Sequence, residues 1–248
     1  AGIQLAPNGM KVLRALGLEQ GALQAGFVPE ALEMRMGRSG LPIFNIPIRH
    51  SAQYRWRAPY LHIHRADLVS LLARALQERA PGSLVLGRSV VGCSDTGVTL
   101  DDGSTDEGDL VVGADGLRSG LRAQAFGDEP ARYTGMVAWR GTVQAANLGA
   151  HTPPKTACVW AGPGRHVVSY FVRRNGLVNF VGVVEKDLPT PERLDSWTTA
   201  GAVEEAVADF DGWQEPVLRM IEGAQGLSQW ALFDRPHTKA WVKGRMVL

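Results

Sequence analysis

The sequence has 248 residues, of which 45% are hydrophobic, so it is long enough to bury a large core in one or two domains. Its 26 basic and 25 acidic residues leave a formal net charge of +1, which gives no reason to expect a nucleic-acid partner or binding to an anionic membrane. Cys93 and Cys158 are too few for a disulfide framework, do not resemble a metal site, and favour a reducing, cytoplasmic location. No apolar run approaches the roughly 20 residues that span a bilayer.

The first predicted helix follows Pro7, close to the start of the sequence. Val12, Leu13 and Leu16 form its apolar stripe, and Gly17 supplies a stop. The residues before the helix do not begin with Met and lack the charged and apolar regions of a signal peptide. We therefore expect a longer parent protein with further residues upstream.

A strand pattern follows between residues 31 and 48. Leu32, Met34 and Met36 alternate with other residues, and the two prolines of LPIFNIPI favour an edge position in a sheet. The next residues predict a loop with four basic side chains, which are Arg49, His50, Arg55 and Arg57. Such a loop could face an anionic ligand, but solvated loop charges are the commoner reason for a cluster of this kind.

The string YLHIHRADL predicts a strand that runs directly into a helix. Residues 60 to 64 alternate as a strand, and a helix with leucines on one side runs from Arg65 towards Pro81-Gly82. Residues 84 to 108 then predict short strands that include an Asp-Gly turn. These elements lead to the most informative stretch of the sequence.

That stretch, DLVVGADGLRSGLR at residues 109 to 122, joins a predicted buried strand to a helix through an exposed acid. The apolar run at 110 to 112 suits a parallel strand covered on both faces, and a helix is predicted from residue 117 to 126. Asp115 then falls at the carboxyl end of the strand, where open α/β sheets bind ligands. Its carboxylate could accept hydrogen bonds from sugar hydroxyls, while Gly116 would let a ligand approach the backbone. The Asp-Gly pair taken alone favours an ordinary turn.

The whole string resembles the second fingerprint of the FAD-dependent aromatic hydroxylases, the single-component flavin monooxygenases that include salicylate and p-hydroxybenzoate hydroxylases. Asp115, Gly116, Ser119 and Arg122 stand where that fingerprint has them. The resemblance implies that these four residues contact FAD, with a further role in nicotinamide binding. In YLHIHRADL it implies that Arg65 contacts the flavin or its phosphates, since a planar guanidinium can neutralise a pyrophosphate.

The remaining pattern completes a predicted fold. After Gly127 the sequence is rich in branched and aromatic residues, which predicts an antiparallel sheet, followed by helices over 197 to 210 and 216 to 221. The predicted class is α/β, with an incomplete Rossmann-like FAD-binding domain and a second, mostly antiparallel β-sheet domain for the substrate. The predicted boundaries are 1–30, 58–130 and 236–248 for the FAD-binding domain, and 31–57 and 131–235 for the substrate-binding domain.

Two motifs of the resembled family lie outside these residues. No GxGxxG occurs in the sequence, although its first 20 residues resemble the stretch that follows this motif in the family. The apolar residues 246 to 248 resemble the strand that leads into the family's Gly-Asp motif. We therefore expect a polypeptide of these 248 residues alone to be poorly stable, and its retention of FAD is open.

The resemblance also implies an activity. NADH or NADPH would reduce FAD, and a flavin hydroperoxide would pass one atom of molecular oxygen to a hydroxybenzoate-, salicylate- or hydroxynicotinate-like ring. His166 and Tyr170 project from one face of a predicted strand, and the resemblance implies that both contact the substrate. His166 would accept the phenolic proton, and Tyr170 would orient the same oxygen. Their spacing alone favours a sheet histidine and a core tyrosine that bond to their neighbours.

Two other classes of function stay open at this point. One is another FAD oxidoreductase of the same fold, such as a halogenase or a reductase. The other is an inactive fragment that keeps the substrate sheet but does not retain FAD. The expected partners are a small aromatic substrate and molecular oxygen, without nucleic acid or membrane, and a homodimer is an open alternative for the assembly.

Overall fold

The structure is a computed structural model that describes the chain except residues 95, 128, 195–198 and 239, and except the side chains of residues 193 and 194. The described residues form two compact units. The first unit contains residues 1–81 and 135–231, and the second contains residues 82–134 and 232–248.

The helices and strands follow in chain order. They are β1 (Gly2–Leu5), α1 (Pro7–Ala15), α2 (Glu19–Ala25), β2 (Ala31–Met36), β3 (Pro42–Pro47), α3 (Arg49–Trp56), β4 (Leu61–His64), α4 (Arg65–Arg79), β5 (Val90–Ser94), β6 (Gly97–Leu100), β7 (Thr105–Glu107), β8 (Val111–Val112), α5 (Gly120–Phe126), β9 (Arg132–Gln144), β10 (Ala157–Gly162), β11 (Arg165–Phe171), β12 (Leu177–Glu185), α6 (Val203–Asp209), α7 (Glu215–Glu222), β13 (Gln225–Asp234), β14 (Val242–Lys243) and β15 (Met246–Val247). Short 3-10 turns occur at Ala145–Asn147, Gly149–His151 and Pro191–Leu194.

A seven-stranded sheet in the order β13-β9-β12-β11-β10-β2-β3 organises the first unit. The neighbours from β9 to β10 pair antiparallel, β10 and β2 pair parallel, and β2 and β3 pair antiparallel. The mostly antiparallel sheet predicted after residue 127 is therefore confirmed. The proline-containing strand β3 is an edge strand, as its sequence predicts.

The two faces of this sheet carry different residues, because side chains alternate along each strand. One face packs against α6 and α7 in a large apolar core that includes Trp139, Val167, Phe180, Phe210 and Met220. Of the helix predicted over 197 to 210, the structure forms α6 from Val203 to Asp209, with Ala206 and Phe210 buried and Val203 and Val207 packed against this core. Residues 197 and 198 of that predicted helix lie outside the described residues. The opposite face of the sheet carries His166 and Tyr170.

A second layer of the first unit pairs β1 with β4 in antiparallel register. Leu61 and Ile63 of β4 join α1, α2 and α4 in a separate apolar cluster with Met10 and Leu13. The predicted stripe of α1 is wrong at Val12, which is 59% exposed, because the helix turns its Pro7, Met10 and Leu13 side to the core.

The basic loop predicted after β3 is also wrong, because Arg49–Trp56 forms helix α3. Ala52 is the buried residue of this helix, so the sequence carries no apolar stripe that would have revealed it. The cap residue Arg57 has a left-handed backbone with a φ of 57°. The sequence of α3 therefore cannot be distinguished by its pattern from that of a polar loop.

The second unit has two three-stranded sheets, β5-β6-β7 and β14-β15-β8. Strands β8 and β15 run parallel, and Val111 packs with Leu121 and Met246 in a small apolar cluster. The prediction that both faces of β8 are covered is wrong for the described residues, since Leu110 and Val112 are 59% and 62% exposed.

The division into units differs from the predicted domain boundaries, because residues 1–30 and 58–81 cluster with the seven-stranded sheet. The functional assignment of those segments to a FAD-binding domain stays a prediction. No helix in the described part of the chain is both long and apolar enough to cross a membrane.

Candidate functional site

The loop between β8 and α5 is closed by the Asp115 carboxylate. Its Oδ1 accepts a hydrogen bond from Ser119 Oγ at 2.5 Å, and its Oδ2 accepts one from the Leu121 backbone N–H at 3.3 Å. Ser119 Oγ in turn accepts from the Arg122 backbone N–H at 2.9 Å, so two donors at the helix start are satisfied. Because Ser119 caps the helix, α5 begins at Gly120 and the predicted start at residue 117 is wrong.

The charge of Asp115 is stabilised by the same hydrogen bonds. Desolvation raises the pKa of the carboxyl, but the bonds from Ser119 and Leu121 outweigh it and lower the pKa below its usual value. Asp115 is exposed at the end of β8, as its sequence predicts. The carboxylate therefore stabilises the loop, and its remaining lone pairs can accept hydrogen bonds from a ligand.

Gly116 leaves the loop backbone open. Its φ of 85° lies in the left-handed region that favours glycine, and a Cβ at this position would meet no atom within 4 Å. A ligand could therefore approach this backbone closely.

A cavity of about 470 Å³ lies beside the loop within the second unit. Arg235 contributes to its wall and donates hydrogen bonds to the backbone oxygens of Leu117 and Glu129. Arg235 was not among the predicted site residues, and it lies 118 residues from Leu117 in the chain. The cavity is lined by Gly113, Ala114, Gly116, Ser119, Arg122, Arg235, Pro236, His237, Thr238, Trp241 and Leu248.

Arg122 brings a positive charge to this cavity. Its side chain is 11% exposed, and its Nη2 lies 3.9 Å from a carboxylate oxygen of Glu129, which is a loose ion pair. Its Nη1 is buried without a hydrogen-bond partner among the described residues. A buried guanidinium N–H that lacks a partner is costly, and an anion in the cavity would satisfy it. The structure thus gathers Gly116, Ser119 and Arg122 around one cavity.

Arg65 lies in the first unit, apart in sequence from this group. It is exposed as the first residue of α4, where its backbone N–H donates to the Ala1 oxygen at 2.8 Å. Burial is the main cause that lowers the pKa of the Arg140 guanidinium in the sheet, and the positive charge of Arg65 lowers it further. The positive charge of Arg65 therefore lies near the face of the sheet that carries Tyr170.

His166 lines a cavity of about 390 Å³ in the first unit. Burial lowers the pKa of its imidazole, so the ring is neutral at pH 7 and can accept a proton. Val183 lies opposite His166 on β12, and Ala161 lies opposite it on β10. The full lining is Met34, Met136, Val159, Ala161, Gly162, Gly164, Arg165, His166, Val183 and Glu185.

Tyr170 lies four residues further along the same face of β11. It is buried, and burial raises the pKa of its hydroxyl to about 12. Val168 stands between the two side chains and pairs with Val181 of β12. Tyr170 is not among the described residues that line the His166 cavity, so the two side chains share a face without sharing that cavity.

Two further polar residues of this face were not predicted from the sequence. Asn179 pairs with Tyr170 in the strand register, accepts a hydrogen bond from the Gly2 backbone N–H at 2.8 Å, and leaves its Nδ2 buried without a partner among the described residues. Arg140 lies over the Trp230 ring at 4.5 Å. Both line a cavity of about 250 Å³. The only cue in the sequence is an asparagine inside the apolar run of β12.

Comparisons with known proteins cover the whole chain, although no protein-family model matches it. A 3-amino-4-hydroxybenzoate 2-monooxygenase of Streptomyces platensis is 38% identical over 253 residues, which are 100% of this chain and 62% of the relative. A 6-hydroxynicotinate 3-monooxygenase of Pseudomonas fluorescens is 33% identical over 257 residues, which are 100% of this chain and 64% of the relative. The chain is a homologue of the aromatic-ring monooxygenases. This homology confirms the resemblance read from residues 109 to 122.

Solved structures agree with this homology. The Klebsiella pneumoniae protein HpxO, complexed with FAD and uric acid, matches with a TM-score of 0.82 and 25% identity, and the match covers 100% of this chain and 62% of HpxO. The chain therefore spans slightly less than two thirds of the length of the monooxygenases it matches.

Proposed function

We propose that the protein is an FAD-dependent, NAD(P)H-consuming monooxygenase that hydroxylates an aromatic acid bearing a ring hydroxyl. The observation that carries this proposal is the similarity, over all of the chain, to two monooxygenases whose named substrates are a hydroxybenzoate and a hydroxynicotinate. Both substrates combine a carboxylate with a hydroxyl on an aromatic ring. Such a hydroxyl makes the ring electron-rich when its proton is removed, which favours oxygen transfer to the ring.

The loop at Asp115 supports FAD binding. Gly116 leaves the backbone open, and the unused N–H of Arg122 suits a phosphate or ribityl oxygen in the adjoining cavity. Asp115 and Ser119 hold the start of α5 in place. For Arg65 of the first unit, the proposal keeps the cofactor contact that the resemblance implies. FAD, once reduced by NADH or NADPH, supplies the activation of molecular oxygen.

The sheet of the first unit supports substrate binding. His166 offers a neutral imidazole in a cavity that is lined by apolar residues together with Arg165 and Glu185, and this base accepts the proton of the ring hydroxyl. Tyr170 stays protonated because burial raises its pKa, so its hydroxyl orients the substrate as a hydrogen-bond donor. Val168 and Val181 lie between His166 and Tyr170 on this face, and they form an apolar surface against which an aromatic ring can pack.

The proposal keeps the domain roles predicted from the sequence. Residues 1–30, 58–130 and 236–248 bind FAD, and residues 31–57 and 131–235 bind the aromatic acid. It also keeps a cytoplasmic location, which the free thiols of Cys93 and Cys158 support.

One set of assays tests this function. The purified protein is assayed for bound FAD by absorbance, and for oxidation of NADH or NADPH with 4-hydroxybenzoate, 3-amino-4-hydroxybenzoate or 6-hydroxynicotinate. We expect bound FAD, faster nicotinamide oxidation with one of these acids, and a product with one added hydroxyl. Nicotinamide oxidation with an unchanged ring would indicate a reductase, a halogenated ring would indicate a halogenase, and absence of FAD would indicate a fragment without the cofactor.

A further inference from the structure

Three aromatic side chains in the first unit form a column, which we call the ring column: Tyr60, His62 and Tyr170. The rings of Tyr60 and His62 meet edge to face with centroids 5.7 Å apart. The rings of His62 and Tyr170 are tilted by 54° with centroids 4.8 Å apart. The His62 ring of β4 therefore lies between the Tyr60 ring and the tyrosine that we assign to the substrate.

The backbone around His62 holds its ring firmly. His62 pairs with Gln4 of β1 in the strand register, and its backbone N–H and C=O bond to Phe27 on its other side at 2.8 and 2.7 Å. The Tyr60 hydroxyl donates to Gln4 Oε1 at 3.0 Å, which fixes the outer ring of the column. The position of the imidazole is thus set by hydrogen bonds on both edges of its strand.

The imidazole at this position is costly for the fold. His62 is fully buried, and neither ring nitrogen has a partner with good hydrogen-bond geometry among the described residues. Burial lowers the pKa of His62 to about 3, against a smaller opposing effect of a weak hydrogen-bond interaction with the Phe171 backbone, so the ring is neutral. A buried polar group without a partner destabilises a protein, and an apolar side chain of similar volume avoids that cost. Packing alone therefore does not favour a histidine here.

Tyr170 also packs closely against Gly2. A Cβ at Gly2 would lie 2.6 Å from Tyr170 Cε2 and 2.8 Å from the Tyr170 hydroxyl, so only glycine fits against this ring. Tyr170 is consequently in contact with both the Gly2 backbone and the His62 imidazole. A branched, non-planar side chain in place of the planar ring would change the shape of this contact and let Tyr170 turn from its present angle.

We propose that His62 is a positioning residue that fixes the Tyr170 hydroxyl for the ring hydroxyl of the aromatic acid, and that it acts only through Tyr170. This inference rests on the substrate role given to Tyr170 in the proposed function. The imidazole of His62 lowers the stability of the fold, and its planar ring restricts the angle of the Tyr170 ring. Such a loss of stability is common for groups near functional sites.

The experiment compares two ligands that differ by one hydroxyl, 4-hydroxybenzoate and benzoate. Their Kd values are measured by isothermal titration calorimetry for the FAD-loaded wild type, His62→Leu, Tyr170→Phe and the double variant. We expect His62→Leu to weaken 4-hydroxybenzoate about tenfold, as loss of one hydrogen bond does, and to leave benzoate unchanged. In the Tyr170→Phe background, His62→Leu should cause no further loss.

A second readout separates positioning from a structural role. His62→Leu removes the unpartnered nitrogens, so we expect its Tm to rise by about 2 to 4 °C while ligand binding weakens. His151→Leu, a substitution in the 3-10 turn Gly149–His151, serves as the control and should leave both Kd values unchanged.

The outcomes distinguish this inference from the proposed function. A wild type that binds neither ligand would overturn the proposed function. A wild type that prefers 4-hydroxybenzoate, with effects of His62→Leu and Tyr170→Phe that add, would overturn the positioning role alone. A lower Tm or failure to fold in His62→Leu would show that the histidine is structural, and would also overturn it.

Discussion

Arg173 holds Asp67 through two hydrogen bonds, from Nε to Oδ2 and from Nη2 to Oδ1, each 2.7 Å long. Asp67 lies in the first turn of α4, two residues after Arg65, and Arg173 lies just beyond β11. A two-bond contact between a guanidinium and a carboxylate fixes orientation as well as distance. The pair therefore fixes the end of α4 that carries the proposed cofactor contact against the sheet that carries the proposed substrate residues.

Replacement of Arg173 by methionine tests this pair. The pair is partly exposed and screened by solvent, so we expect Arg173→Met to lower the free energy of unfolding by about 1 kcal/mol at pH 7. The hydrogen bond from Arg173 lowers the pKa of Asp67 below 3.8, so this contribution is complete above that pH and is lost as the pH falls further. Urea unfolding at pH 7, 5 and 3 would show the difference shrink only at pH 3.

The neighbouring Arg174 provides a matched control, because its guanidinium donates to the backbone oxygen of Leu23 at 3.1 Å. Arg174→Met should change the unfolding free energy by less than Arg173→Met and should show no loss of effect at pH 3. Equal, pH-independent effects of the two substitutions would show that the bond to Asp67 adds nothing.

The bonds of the Asp115 carboxylate revise what its removal should do. Asp115→Ala should lower FAD affinity and also lower the free energy of unfolding by about 1 to 2 kcal/mol, because the carboxylate bonds Ser119 and the Leu121 backbone at the start of α5. Ser119→Ala should cause a similar loss of stability. Thermal unfolding of both variants without FAD checks the result, and an unchanged Tm in both would rule out the capping role.

Arg122 gives a cleaner test of cofactor binding, since its side chain has only a loose ion pair with Glu129 among the described residues. Arg122→Gln should raise the Kd for FAD at least tenfold, the effect of one lost charged hydrogen bond of about 1.5 to 3 kcal/mol, with little change in Tm. Arg132→Gln is the control, because Arg132 also lies near Glu129, at 3.7 Å, but is 71% exposed. Fluorescence titration with FAD that gives equal affinities for both variants would remove Arg122 from the cofactor site.

Strong local patterns allowed much of the fold to be predicted from the sequence. Alternation in Leu32, Met34 and Met36 predicted a strand, and prolines in β3 predicted its edge position. Prediction failed where tertiary packing rather than pattern decides. Val12 looks like a core residue but faces solvent, and the polar helix α3 has no stripe that periodicity could detect.

The candidate site was only partly predictable for the same reason. Residues 115 to 122 lie close together because they are near neighbours in the sequence and form one turn and one helix start. Arg235 and Asn179 reach their places through folding of distant segments, which no local pattern reveals. His62 and His64 alternate like two solvated residues of one strand face, yet His62 is buried against Tyr170.

The pH dependence of activity tests the role of His166. Burial lowers the pKa of this imidazole below its usual 6.5, so the neutral base persists to a lower pH than for an exposed histidine. We expect kcat/KM for a hydroxybenzoate to fall only below pH 6.5 in the wild type, and this acid limb to disappear in His166→Gln together with most of the activity. The same acid limb in the variant would assign the ionisation to another group.

The transfer of one oxygen atom from molecular oxygen to the aromatic acid is the central claim. The direct measurement is mass spectrometry of the product after turnover under isotopically heavy dioxygen, with FAD, NADH or NADPH, and 3-amino-4-hydroxybenzoate or 6-hydroxynicotinate. We predict a product that carries one heavy oxygen atom on the ring for each nicotinamide consumed in coupled turnover. Nicotinamide consumption that leaves the ring without heavy oxygen would contradict the assignment as an aromatic hydroxylase.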